Sequence, residues 1–412
     1  MKKFIIDNIV DIDNNQFDRQ QRIDWWSQEK LEKAKVMVVG AGATGNETLK
    51  NLALLGIGNI FIVDFDTIST SNLSRAVLFR QGDEGKKKTE IAAIRTKELC
   101  LAPNAKIVSF HGDIVWELGT GIYDEMDIVL GCLDNIETRI AINRNCWLTN
   151  TPWIDAGIYE LAARVSVFIP PQLPCYECSL SPDQVRAARV RYSCDDFKKS
   201  MFKEGKMPTV QISSAIASAI QVQEAVKLIC GQEITAQKMI FFQGKINDFD
   251  IIDLPINPDC YAHATYPEVI SIPFSTSATL KEFLTFISEK KYSGSEAKLD
   301  FSADRTFIKS VACRSCGKHI EIYRPSFNIY DYETICNSCK EKGINLKQVE
   351  SEIQTDKVTI SQFSLRETES RILKMSLNEI GVPYLHIVAV IDKDGNYKYY
   401  KLMGDNNFLL PS

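Results

Sequence analysis

The apolar run Lys35-Val36-Met37-Val38-Val39 leads directly into Gly40-Ala41-Gly42-Ala43-Thr44-Gly45, and apolar residues at helical spacing follow. Three glycines between a strand and a helix constrain the fold strongly. They permit a tight turn and close backbone approach, and the helix that follows leaves its first N–H groups free. Further β-rich runs fall at 60–64, 106–110 and 127–131, with helical patterns before each. This alternation predicts an α/β fold with a mostly parallel sheet and helices on both faces. A strand is expected at 163–169, ending at Pro170-Pro171, and the strongest helix at 211–229. Residues 239–246 and 248–254 read as a final hairpin or a pair of edge strands.

At 412 residues the chain has room for two or three domains. Its net charge of −5, with no block of like charges, argues against a nucleic-acid surface. No apolar stretch approaches the ~20 residues that span a bilayer, so no membrane partner is expected. Acids and asparagines occupy the N-terminus where a signal peptide needs an apolar core, which points to a cytoplasmic protein. Twelve cysteines include three C-x-x-C pairs, Cys175/Cys178, Cys313/Cys316 and Cys336/Cys339. In a chain of this size and a reducing compartment that spacing favours metal ligation over disulfides.

The glycine turn alone leaves a dinucleotide and a mononucleotide equally open, with Asp64 placed to meet a ribose hydroxyl in either case. The residues beyond it decide between them. Asp64-Phe65-Asp66 is followed by Ser71-Asn72-Leu73-Ser74-Arg75, by Gly85-Lys86-Lys87-Lys88, and by Gly131-Cys132-Leu133-Asp134-Asn135. A nicotinamide site needs no such set of cations and acids. Polyphosphate chemistry does, because cations neutralise charge developing on oxygen and a carboxylate holds Mg²⁺.

Residues 17–265, and most closely the segment from Val36 to Arg80, resemble the adenylating domain of ubiquitin-activating enzymes and their ThiF/MoeB/HesA-type sulfur-carrier relatives. The resemblance implies a Rossmann-like domain that binds ATP and Mg²⁺. It assigns the phosphate loop to Gly40, Gly42 and Gly45 and the ribose contact to Asp64, with Asp66 beside it. Nucleotide contacts fall on Asn72 and Arg75, the phosphate-binding lysine on Lys88, and the Mg²⁺-linked acid on Asp134. Arg19 matches an arginine that reaches across a homodimer. The chain departs from the pattern at Ala76, where relatives commonly carry Gln.

In that family the crossover segment, here about 179–210, carries the cysteine that forms a thioester with the modifier. Cys194 occupies that place, with Arg191 favouring the thiolate and Asp195 and Asp196 opposing it. The resemblance also implies structural zinc on Cys175, Cys178, Cys260 and His263, the last standing where relatives carry a fourth Cys. Cys313, Cys316, Cys336 and Cys339 have the C-x₂-C-x₁₉-C-x₂-C spacing of a zinc ribbon, read over 309–342. Cys100, Cys132, Cys146 and Cys230 read as small apolar residues.

Two domains are therefore expected: an adenylating domain over 1–272 and a smaller α+β domain over 273–412 carrying the ribbon. In the second, helices are expected at 278–291 and 369–381, and a hairpin at 386–402 turning on Asp394-Gly395. The layout is similar to activating enzymes of bacterial ubiquitin-like conjugation (Bil-type antiphage) operons. It implies adenylation of a ubiquitin-like protein ending in glycine, a thioester, and transfer to a conjugating enzyme. A sulfur-carrier or peptide adenylyltransferase without conjugation is the alternative, and an NAD-dependent oxidoreductase a more distant one.

Overall fold

A computed structural model describes residues 15–181, 183–184, 208–289, 292–301, 305–329, 333, 336–340 and 355–408. Its first part is built on β1 (Lys35–Val39), β2 (Asn59–Asp64), β3 (Lys106–His111), β4 (Ile128–Gly131), β5 (Trp153–Tyr159), β6 (Ala162–Phe168), β7 (Lys238–Gln243) and β8 (Asp248–Asp253). These form one sheet in the order β3-β2-β1-β4-β5-β6-β7-β8. Pairings from β3 through β5 are parallel, and those from β5 to β8 antiparallel.

The longer helices here are α1 (Ala43–Leu54), α2 (Lys88–Leu99), α3 (Ile136–Thr149) and α4 (Gln211–Cys230). The continuous apolar run of β1 follows from its central place. Val36 and Val38 enter a core with Leu49 and Leu52 of α1 and Ala217 and Val222 of α4. Met37 and Val39 enter the opposite core with Ile140, Ile142 and Cys146 of α3. A strand covered on both faces has no polar side to alternate with. The chain leaves β1 toward β2 and β3, then returns to place β4 on the other side of β1. Such a switch point opens a crevice at the C-terminal ends of the two strands.

The remainder comprises α5 (Leu280–Ile287) and two further sheets. One joins β9 (Val269–Ile272), β10 (Lys298–Asp300), β14 (Gln362–Phe363), β15 (Ile387–Ile391) and β16 (Tyr397–Leu402); the other joins β11 (Phe307–Cys313), β12 (His319–Pro325) and β13 (Thr355–Ile360). The five-stranded sheet thus takes β9 from residues that precede 273. Thr279 and Glu282 close a capping box at the start of α5, which buries Leu280, Phe283, Leu284 and Ile287.

The helix expected over 369–381 shortens to Ser370–Leu373. The Met375 carbonyl accepts from Leu280 N at 2.8 Å, and Leu377 N donates to the Ala278 carbonyl at 2.9 Å. These groups pair across to the segment before α5 instead of continuing a helical ladder. The 386–402 hairpin forms as β15 and β16, with Gly395 at φ +84 in the turn.

Candidate nucleotide site and two thiol clusters

At the switch point the glycines do different work. Gly40 has φ +94, and a Cβ there would lie 2.4 Å from the Cys132 carbonyl oxygen. A Cβ on Gly45 would lie 1.8 Å from the Gly40 carbonyl oxygen. Both are imposed by packing. Gly42 has nothing within 4 Å of its missing Cβ, so the open side of the turn is free at the start of α1. Asn46 fixes the turn from below. Its amide donates to the carbonyls of Ala41 at 2.8 Å and Gly42 at 2.9 Å, while its Oδ1 accepts from Leu78 N at 2.9 Å.

Asp64, at the end of β2, accepts from Ala41 N and from Asp66 N, each at 2.7 Å. Burial pushes its carboxyl up, and the Lys88 ammonium works against that shift. Lys88 opens α2 and is buried, with Nζ 2.7 Å from Asp66 Oδ2 and its backbone N–H on the Asp66 carbonyl at 3.0 Å. Burial opposes its charge, but the carboxylates of Asp64, Asp66 and Asp134 outweigh burial and raise its pKa. Lys86 and Lys87 pair elsewhere, with Asp83 at 2.9 Å and Glu90 at 2.8 Å. Asp134 is exposed just past β4. The structure therefore brings Gly40, Gly42, Gly45, Asp64, Asp66, Lys88 and Asp134 together. Asn72 ends a 3-10 turn whose capping box its side chain closes on Ser69, and Arg75 follows half-buried on the next turn.

Arg19 is not part of this group. It is exposed on the helical turn Asp18–Gln21. Gln20 of that turn donates to the Leu55 carbonyl at 3.4 Å, at the far end of α1 from the glycines. Twelve residues of helix separate the two ends, about 18 Å.

Cys175, Cys178, Cys260 and His263 converge with all four donor atoms within 4.8 Å of one another. Cys175 Sγ lies 3.7 Å from both Cys178 Sγ and Cys260 Sγ, and Cys178 Sγ lies 3.2 Å from His263 Nε2. Burial lowers the His263 pKa, which favours the neutral ring that a metal takes. Cys313, Cys316, Cys336 and Cys339 converge within the same limit, at the end of the β11–β12 hairpin. Three thiols with an imidazole, and four thiols, are both donor sets that suit tetrahedral zinc. Backbone N–H groups of Cys316 and Ser315 bring the Cys313 thiol down to about 7, which helps it ligate as thiolate.

Cys132 lies beneath the glycine turn with its thiol pushed up to about 12 by burial, and burial raises Cys146 as well. Cys194 lies outside the described residues.

Several side chains at the site carry no motif of their own. Arg139 of α3 is buried with Nε 2.8 Å from Asp155 Oδ1, and it also donates to the Leu133 carbonyl. Gln221 of α4 donates to the carbonyls of Gly131 at 3.0 Å and Ile154 at 2.8 Å, the last residue of β4 and the second of β5. Asn143, Arg144 and Glu177 lock the Cys175–Cys178 turn. Arg144 grips Glu177 through two nitrogens at 2.8 and 2.5 Å, and Asn143 Oδ1 accepts from Tyr176 N at 3.0 Å. Only the i, i+4 spacing of Asn135, Arg139 and Asn143 hints at this in sequence.

A glycine turn that opens a helix at a parallel sheet's switch point, beside an acid closing the next strand, defines a Rossmann-like α/β domain. Within that class the sequence is more specific, and the ThiF family profile matches residues 15–262. The chain belongs to the ThiF family. It is 40% identical over 153 residues to the SUMO-activating enzyme subunit 2 of Dictyostelium discoideum, a match covering 36% of this chain and 22% of that one. It is 30% identical over 219 residues to the sulfur carrier protein ThiS adenylyltransferase of Escherichia coli, covering 53% of this chain and 81% of the relative. Among solved structures, Escherichia coli MccB with ATP superposes with a TM-score of 0.50 at 24% identity, over 61% of this chain and 74% of MccB. At that identity the likeness concerns the fold. The chain spans about a fifth of the SUMO-activating subunit. Among the described residues no helix is long and apolar enough to cross a membrane.

Proposed function

We propose that this chain adenylates the C-terminal glycine of a ubiquitin-like protein, holds the activated tail as a thioester on Cys194, and passes it to a conjugating enzyme. The observation that carries the reading is the convergence of Asp64, Asp66, Lys88 and Asp134 under a glycine turn whose Gly42 side stands open. A substrate carboxylate oxygen attacks the α-phosphorus of ATP, the bond to the bridging oxygen breaks, and pyrophosphate leaves. Positioning and charge neutralisation carry such a step.

The turn and the start of α1 receive the phosphates, and Asp64 accepts from a ribose hydroxyl. Asn72, Arg75 and Lys88 face the nucleotide. Asp134 would hold Mg²⁺, which neutralises phosphate charge when bound. Arg19 sits at the wrong end of α1 to serve its own site, which supports a homodimer in which it serves its partner's. Both thiol clusters are read as structural zinc sites, and the chain as cytoplasmic.

An adenylyltransferase serving a sulfur carrier or peptide, with no thioester relay, is favoured by the match spanning 81% of the ThiS adenylyltransferase. The two readings share the adenylation step and divide at Cys194.

Asp134→Ala tests the shared step. ATP–pyrophosphate exchange should fall at least a hundredfold, about 2.7 kcal/mol of transition-state stabilisation, with unchanged circular dichroism. Wild-type exchange in that variant would contradict the assignment. Cys194→Ala separates the readings. Conjugation predicts that the thiol-reducible adduct disappears while exchange persists; an adduct that survives removes Cys194 from the mechanism.

A further inference from the structure

Of residues 131–139, Asp134 alone is exposed, and the loop that carries it is pinned on both sides. On its C-terminal side the Asn135 side chain caps α3, accepting from Thr138 N at 2.8 Å. On its N-terminal side the Leu133 carbonyl accepts from Arg139 Nη2. The same guanidinium is fixed by Asp155 Oδ1 at 2.8 Å and the Ala156 carbonyl at 3.3 Å, both on β5. Arg139 thus ties the residue before Asp134 to the rigid neighbouring strand. Its planar fork suits three acceptors that a lysine could not serve together. Burial works against the charge of Arg139; Asp155, and more weakly Asp134, outweigh it.

We propose that Arg139 is the positioning residue for Asp134, fixing where that carboxylate stands and thereby how much Mg²⁺ strengthens nucleotide binding. This rests on the reading of Asp134 as the Mg²⁺-linked acid. A carboxylate ligand on a loop free to move pays an ordering cost each time the ion binds. A loop already held pays none.

The probe is ATP itself, titrated calorimetrically into the full chain with Mg²⁺ or with EDTA; the ratio of the two dissociation constants is the readout. Arg139→Met with Asp155→Leu removes both members of the buried pair and leaves neither charge orphaned in the core. Arg164, half-exposed and 3.8 Å from Asp155, keeps water and its Tyr176 contact when Asp155 is removed. Arg139→Lys is the second variant, keeping the charge beside Asp155 but not the hold on Leu133.

In whichever variant melts cooperatively, the Mg²⁺ ratio should fall about tenfold while affinity in EDTA stays near wild type. Adding Asp134→Ala should cost nothing further, because both changes remove one device. A folded variant with the full wild-type ratio, or losses that multiply with Asp134→Ala, overturns the proposal. If Asp134→Ala alone leaves the ratio unchanged, the Mg²⁺ reading of Asp134 falls first and the proposal falls with it.

Discussion

The two thiol clusters use nearly the same donors at nearly the same separations, yet they stand in opposite surroundings. Cys175 and Cys178 are buried against α3, where the Trp147 and His263 rings pack with centroids 4.7 Å apart and planes tilted by 37°. Their turn is held by Asn143, Arg144 and Glu177, with Glu177 itself buried. Cys313, Cys336 and Cys339 pack only with one another among the described apolar residues, and Cys316 is exposed. Around them lie exposed pairs, Arg314 with Asp356 at 2.8 Å and Lys318 with Ser338 at 2.9 Å. In one place a metal would join segments already embedded in a large core. In the other it would hold the outer end of a small three-stranded sheet, away from the Phe307 end that joins a core.

That contrast can be broken by experiment. Cys178→Ser should have the largest effect: loss of one equivalent of zinc, a fall in Tm on the order of 10 °C, and loss of ATP–pyrophosphate exchange as α3 loosens behind Asp134. Cys339→Ser should lose its own zinc and open 307–360 to protease, yet keep exchange within about twofold. If the two variants lose exchange equally, the two clusters do not differ in what they hold together.

Glu177→Gln comes next. It strips Arg144 of its carboxylate without touching a ligand, and since Arg144 is one-third exposed the cost is about 1–2 kcal/mol, read as several degrees of Tm with zinc retained. His263→Cys should change least. A fourth thiolate completes a tetrahedral set, so zinc content stays constant and Tm moves by about 2 °C or less. Zinc loss in that variant would mean the imidazole is needed for its contact with Trp147.

What could be read in advance follows the range of the interactions. The glycine turn, the apolar strands and the C-x₂-C pairs are local patterns whose physics lies within a few neighbouring residues. Asp64 could be named because it closes a strand at the sheet edge, while Lys88 and Asp134 follow from the family resemblance of the motifs that carry them. Arg139 could not, because its importance comes from the Leu133 and Ala156 carbonyls and Asp155, which only the sheet brings together. For the same reason β5 is not legible in the sequence: Asp155 and Gly157 break its apolar run, yet it is a central strand between β4 and β6. The 369–381 segment has a helical pattern, but its backbone is claimed by the chain before α5.

The proposed function requires a nucleotide lying over the glycine turn with its phosphates near Asp134. A crystal of the full chain soaked with ATP and Mg²⁺ tests this directly. The triphosphate should lie along residues 40–45 with the ribose on Asp64, Lys88 on its phosphates and the ion at Asp134. A triphosphate bound elsewhere, or one in that crevice with its phosphates turned away from Lys88 and Asp134, would contradict it.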